Sequence, residues 1–257
     1  MRTAPISNRA RFAAKPLTHG GTPAPLWLAA FERAPLPPLD LTGCRRLIVV
    51  ATHPHDETLG LGATIAALSA SGVDVRVVSV SDGGAAQSGV TISGRIRLST
   101  TRRYELRRAA SILGVAQPLR LGLPDGELAD HEDRLTEGLA EILRSAGPGT
   151  WCAATWRGDG HPDYEAVGRA AAAACVRTGV TLLEYPVWMW HWATPGDPVV
   201  PWDRARSVPA PGLAVNRKRQ AAQCYRSQLR PGRDDTPPIL PPFVLQRLLA
   251  VGEVVFR

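Results

Sequence analysis

From Arg45 to about residue 187 the chain alternates short, β-branched apolar runs with helix-length amphipathic segments, and that rhythm leaves few folds open. The apolar runs predict strands at 46–51, 74–80, about 117–122, 150–155 and 180–187. The segments between them predict helices at 58–71, 101–113, 133–145 and 163–177, with Gly72, Gly114 and Gly179 standing where three of these helices should stop. Leu47 to Ala51 is too short and too β-branched for a helix and reads as a strand buried on both faces. Strands that alternate with helices are joined by right-handed crossovers into a mostly parallel sheet covered on both sides. The expected class is therefore α/β, a Rossmann-like three-layer sandwich.

At 257 residues and 44% hydrophobic, the chain can bury one large core. Residues 1–42 stand apart, since Pro23, Pro25, Pro35, Pro37 and Pro38 and several arginines read as an arm wrapped over the surface or partly disordered, with Trp27, Leu28 and Phe31 as its anchors. Residues 43–257 then form a single domain. After the last clear strand come a proline-rich loop at 193–212, a basic helix from about 213 to 228, and a tail whose last strand is Glu253 to Phe256.

The net charge of +7 comes from dispersed arginines, such as Arg102, Arg103, Arg107 and Arg108 on one helix. No aromatic-interleaved basic stripe of the kind that grips single-stranded nucleic acid is visible, so no nucleic-acid partner is expected. Cys44, Cys152, Cys175 and Cys224 contain no C-x-x-C pair, which indicates neither a cysteine zinc site nor a disulfide framework. Arg2, Arg9, Arg11 and Lys15 interrupt any signal-peptide core, and no run approaches the roughly 18 apolar residues of a membrane span. A cytoplasmic protein with a small-molecule partner and no membrane contact is expected.

In open α/β sheets ligands bind beyond the carboxyl ends of strands. The first strand runs straight into Thr52-His53-Pro54-His55-Asp56-Glu57. A plain turn would need only Pro54 and a cap at Asp56 or Thr58, yet two imidazoles and two carboxylates fall within five residues. His and Asp suit Zn²⁺, and in a tight turn the three-residue offset of His53 and Asp56 can converge on one ion. The strand at 150–155 feeds a second such loop, Gly160-His161-Pro162-Asp163-Tyr164. Helix capping would explain Asp163, but it requires no imidazole beside it.

With both loops in view the chain resembles the PIG-L/LmbE-like family of zinc-dependent N-deacetylases. Its signatures are Ala-His-Pro-Asp-Asp-Glu, matched by residues 52–57, and Gly-His-Pro-Asp-His, matched by 160–164. Ser81-Asp82-Gly83, Arg102 with Glu105, and Leu123-Pro124-Asp125-Gly126 support the likeness, which spans about residues 45 to 187. The resemblance implies removal of an acetyl group from an N-acylated amino sugar or related small molecule. It implies His53, Asp56 and position 164 as zinc ligands, and position 55 as the general base. His161 would steady the oxyanion or protonate the leaving amine, and Asp163 would orient His161. The ion would lower the pKa of bound water towards about 7 and polarise the acyl carbonyl.

Two of these functional positions depart from the family pattern. His55 replaces an acidic base, and an imidazole can serve that role. Tyr164 replaces a ligand imidazole, and a phenol of ordinary pKa about 10 is a poor zinc ligand. The competing expectation is a member that keeps the cleft but only binds. A dinucleotide enzyme is disfavoured, because Gly60-Leu-Gly62 lies inside a helix pattern and no G-x-G-x-x-G follows the first strand.

Further candidates are Arg102 as a substrate-binding residue, Asp82 as a partner near the site, and Trp188 and Trp190 as a wall against which a sugar stacks. His191 is a spare acid or ligand. Lys218, Tyr225, Ser227 and Gln228 on the basic helix are expected on a solvated face, with closure over the substrate as the alternative.

Overall fold

The computed structural model describes residues 6–85, 91–231 and 237–257. Residues 1–5 of the expected arm lie outside that range. The N-terminal segment carries α1 (Asn8–Ala13) and α2 (Ala24–Arg33). The alternating region follows as β1 (Arg46–Ala51), α3 (Asp56–Ala70), β2 (Asp74–Ser81), α4 (Ile92–Leu113), β3 (Leu119–Leu123), α5 (Glu132–Ser145), β4 (Thr150–Thr155), α6 (Pro162–Thr178) and β5 (Thr181–Tyr185). The remainder holds α7 (Met189–Trp192), β6 (Ala205–Ser207), α8 (Gly212–Ala222), α9 (Arg226–Leu229), α10 (Pro242–Ala250) and β7 (Val254–Phe256).

Among the described residues seven strands form one sheet, in the order β3-β2-β1-β4-β5-β7-β6. The first five are mutually parallel, whereas β7 pairs antiparallel with β5 and β6. Alternation along β1 shows why helices must cover both faces: Leu47 and Val49 enter one core, Ile48 and Val50 the other. On the first face lie Leu59 and Ile65 of α3, Leu106 and Leu113 of α4, and Ala221 of α8. Leu135 and Leu139 of α5 and Val167 and Ala170 of α6 cover the second. This is the three-layer α/β sandwich expected from the alternation.

Helix α4 starts at Ile92, nine residues before the expected 101, with Thr91 capping it through Gly94 N–H at 3.2 Å. Its first turns present no stripe to the core, leaving Ile92 and Ile96 exposed, so periodicity gave no signal there. The expected loop at 193–212 contains β6, a three-residue strand too short to show alternation. Gly114 and Gly179 end their helices in the left-handed conformation, as expected of C-terminal glycines.

The N-terminal segment is built into the core. Trp27 is fully buried and packs edge-on against Trp190 at 5.0 Å between ring centroids, with Phe31 beside both. Leu28, expected as an anchor, points outward because α2 turns only one stripe inward. The expected solvated face of the basic helix is also corrected. Lys218 is buried and pairs with Glu253 at 2.8 Å. Glu253 also accepts from Ala63 and Thr64 N–H, both at 2.8 Å, just past Leu61, where α3 leaves helical geometry. The kink frees those N–H groups, and one carboxylate from the tail satisfies them. Among the described residues no helix is long and apolar enough to cross a membrane.

Candidate active site

Strand order reverses between β1 and β4, and the loops leaving their carboxyl ends face each other there, joined by the loop after β3. His53, His55, Arg102, Asp125, His161 and Asp163 line one pocket of about 340 Å³. The two strand-exit loops of the sequence therefore meet. The third loop adds Asp125.

His55 has φ +136°, the one non-glycine positive φ among the described residues, at the residue that opens α3. A bulky residue there is strained, and such strain is held where a side chain must be aimed. Its Nε2 lies 3.0 Å from Asp56 Oδ1, and its buried Nδ1 has no partner among the described residues. Asp56 Oδ1 also accepts from Tyr164 hydroxyl at 2.5 Å, while Oδ2 accepts from His53 N–H at 2.7 Å. Three donors thus already surround the Asp56 carboxylate. Although burial alone would raise its pKa, His55 and its other partners hold it below the usual carboxylate value.

His53 turns its ring the other way. Nε2 sits 2.7 Å from Asp125 Oδ1 and 3.4 Å from Asp163 Oδ2. Burial alone would lower its pKa, but the hydrogen bonds and charges of these two carboxylates outweigh it and raise the value to about 10. Burial would likewise raise Asp125, yet His53, the Ala85 N–H and Arg102 together bring it down to about 2. Without a metal this is a protonated imidazole between two carboxylates.

Two donor sets in the pocket are candidates to hold a divalent ion. The set His53, Asp56 and Tyr164 does not fit. Burial, and then the Asp56 charge, push the Tyr164 phenol well above its ordinary value, so the hydroxyl keeps its proton and donates a hydrogen bond to Asp56. The set His53, Asp125 and Asp163 fits in chemistry, because one imidazole and two carboxylates are zinc-type donors and their ligand atoms lie within 4.8 Å of one another. An ion there would have to displace the proton on His53.

A family model described as "PIG-L: GlcNAc-PI de-N-acetylase" matches residues 48–175, the stretch that carries all three loops. The chain belongs to the PIG-L family. The diacetylchitobiose deacetylase of Thermococcus kodakarensis is 31% identical over 126 residues, which are 48% of this PIG-L chain and 46% of the relative. A 1D-myo-inositol 2-acetamido-2-deoxy-alpha-D-glucopyranoside deacetylase of Mycobacterium avium is 41% identical over 83 residues, 30% of this chain and 28% of the relative. The chain thus covers less than half the length of these curated relatives. Among solved structures, the N,N'-diacetylchitobiose deacetylase of Pyrococcus horikoshii shares the fold, with a TM-score of 0.58, 24% identity and 75% of each chain covered.

Within this PIG-L fold several residues stand elsewhere than the sequence suggested. Asp163 does not orient His161 through its carboxylate. It sits inside the first turn of α6, where its side chain reaches Gly126 N–H at 2.9 Å and Leu128 N–H at 3.3 Å and ties the β3 loop to the site. His161 is the N-cap, with Nδ1 accepting the Asp163 backbone N–H at 3.2 Å. Asp82 lies at the sheet edge, bridging Arg120 at 2.7 Å and Arg103 at 3.1 Å, because β2 turns it towards β3. Trp188 lines the pocket, but Trp190 does not. Two residues apart at the start of a helical turn, they face opposite ways, and Trp190 packs on Trp27. His191 is occupied outside the pocket, with Nε2 2.9 Å from the Lys15 carbonyl.

Arg102 is buried on α4 and lines the pocket; its Nη1 donates to Gly83 O at 2.6 Å, and Nε and Nη2 have no partner among the described residues. Glu105, expected beside it, instead accepts from Ser227 N–H and hydroxyl, both at 2.7 Å. Sequence reasoning missed the underside of the site. The Tyr225 hydroxyl donates to Glu57, and Gln228 Nε2 donates to Pro54 O at 2.7 Å, so the segment after α8 clamps the His53 loop from below. Asp159 was also missed; it accepts the N–H groups of Val187, Trp188 and Met189 at 2.8–3.1 Å and sets Trp188.

Proposed function

We propose that this pocket is the active site of a zinc-dependent N-deacylase acting on an N-acylated amino sugar or related small amide, with acetyl as the simplest acyl group. The observation that carries the proposal is the convergence of His53, His55 and His161 with Asp125 and Asp163 at the reversal of strand order. The relatives' printed names, diacetylchitobiose deacetylase and an acetamido-glucopyranoside deacetylase, support the substrate class. His53, Asp125 and Asp163 are the residues that would hold zinc, which when bound polarises an acyl carbonyl and lowers the pKa of water.

The chain's own groups supply the remaining chemistry. Burial, then the charge of His53, lower the His161 pKa to about 4, so the ring is neutral at pH 7. Its Nδ1 accepts a backbone N–H, which assigns the proton to Nε2 and makes that atom a donor to negative charge developing on the acyl oxygen. Asp56 can only accept, so it fixes the Nε2–H tautomer of His55 and leaves the Nδ1 lone pair as the base that takes a proton from water. The same group then returns the proton to the leaving amine. Asp56 and Tyr164 are positioning residues in this scheme. Arg102, with two donors unpartnered among the described residues, binds substrate oxygens, and Trp188 packs against the sugar face.

A second reading, a protein that binds but does not hydrolyse, is favoured by one observation: Tyr164 hydroxyl closes onto Asp56 where the resemblance places the third zinc ligand. Acetate release from a panel of N-acetyl amino sugars, with zinc content measured on the same sample, separates the two. Stoichiometric zinc with release that falls about 10²–10⁴-fold in His161→Ala is expected. Absence of both zinc and acetate would establish the second reading.

A further inference from the structure

Apart from the groups assigned to the reaction, the pocket wall is largely apolar, and part of it comes from before residue 48, where the family match begins. Phe12 and Leu17 of the N-terminal segment line the pocket together with Trp188 and Ile239. The Phe12 ring lies 5.6 Å from that of Trp188 and 6.1 Å from that of His161, centroid to centroid. The apolar wall therefore begins beside the imidazole assigned to the acyl oxygen.

The segment is fastened to the β4–α6 region and to the chain that follows β5. Asn8 Nδ2 donates to Gly158 O at 2.8 Å, Arg9 pairs with Glu165 at 2.6 Å, Arg11 pairs with Asp197 at 2.9 Å, and Lys15 Nζ donates to Trp192 O at 2.8 Å. Gly160, with φ +89°, makes the approach possible, since a Cβ there would lie 2.9 Å from both Asn8 O and Phe12 Cβ. Four polar tethers and a glycine at the point of closest approach hold an aromatic ring at the mouth of the reaction site. A small polar acetamide would leave that ring and Leu17 facing water, whereas a hydrocarbon group would cover them.

We propose that Phe12 and Leu17, with Trp188 and Ile239, form a subsite for an apolar substituent next to the scissile amide, so that the substrate carries a hydrocarbon group larger than the methyl of acetyl. The deacylase reading above is presupposed. The hydrocarbon can belong to the acyl chain or to the aglycone of the amino sugar, and two substrate series distinguish these sources. One is N-acetyl-, N-butanoyl- and N-octanoylglucosamine; the other is the methyl, butyl and octyl glycosides of N-acetylglucosamine. Affinity by calorimetry and acid release are measured separately on the full chain, for wild type, Phe12→Ala, Phe12→Leu and Leu17→Ala.

In one of the two series affinity should rise about fourfold for each of the first few methylenes seated, and that series identifies the source. Phe12→Ala and Leu17→Ala should flatten the rise, and Phe12→Leu should restore most of it. Flat affinity across both series overturns the subsite, as does a rise unchanged in Phe12→Ala and Leu17→Ala. A chain-length gradient in binding with no acid released from any compound would retain the subsite and refute the deacylase reading. Release from the N-acetyl compounds with both series flat would do the reverse.

Discussion

Asp125→Asn removes the charge closest to His53 and keeps an oxygen able to accept the Ala85 N–H, now held at 2.7 Å. The pH dependence of its cost follows from the two displaced pKa values. His53 is raised from 6.5 to about 10, so its contribution is complete below 6.5 and lost as pH climbs through 10. Asp125 is lowered from 3.8 to about 2, so its contribution is complete above 3.8 and lost as pH falls through 2. Both are in full force only between about pH 4 and 6.5. The His53 value reflects Asp163 and Asp56 as well, so the single contact is better sized from Asp125, at about 2 kcal/mol at most. In a domain of this size that is a Tm loss of roughly 4–8 °C. Thermal unfolding of chelator-stripped wild type and Asp125→Asn from pH 5 to 10 measures it. The gap should be widest near pH 5–6 and close towards pH 10. A gap of equal size at every pH would refute the ion pair as the cause.

Other substitutions probe the remaining links. Tyr164→Phe withdraws a charge-assisted hydrogen bond from buried Asp56 and should cost about 2 kcal/mol in urea unfolding. Tyr164→His places an imidazole beside Asp56, outside the donor set His53, Asp125 and Asp163, and should leave zinc affinity unchanged in competition with a chromogenic chelator; a rise would put the ion at Asp56 and position 164. Lys218→Met strands the buried Glu253 carboxylate and should cost about 3 kcal/mol, part of which Glu253→Gln in the same chain recovers. Trp27→Ala should cost about 3–5 kcal/mol in the same assay if the N-terminal segment belongs to the main core, and almost nothing if it is a loose arm.

The sheet and its covering helices were legible because burial imposes a period, and β1 shows it residue by residue in Leu47, Ile48, Val49 and Val50. The two histidine loops were legible through their chemistry, since neither turning the chain nor capping a helix requires imidazoles at a strand's end. What stayed hidden lacked either signal. Residues 92–100 form helix without an inward stripe, and β6 has three residues. Asp125 was visible only as an acid before a glycine, and nothing local states that its carboxylate meets His53 from another strand. Lys218 and Glu253 are 35 positions apart, and the kink at Leu61 that calls for them has no sequence signature. Trp190 shares its surroundings in the chain with Trp188, yet a helical turn sends one inward to Trp27 and the other to the pocket.

A divalent ion held by all three loops together, through His53, Asp163 and Asp125, underlies the proposed reaction. Anomalous scattering collected on both sides of the zinc edge, from crystals grown near pH 8 with one equivalent of zinc, tests it directly. A peak within ligand distance of His53 Nε2, Asp125 and Asp163 is the expected result. A peak at Asp56 and Tyr164, or none anywhere in the pocket, would contradict it.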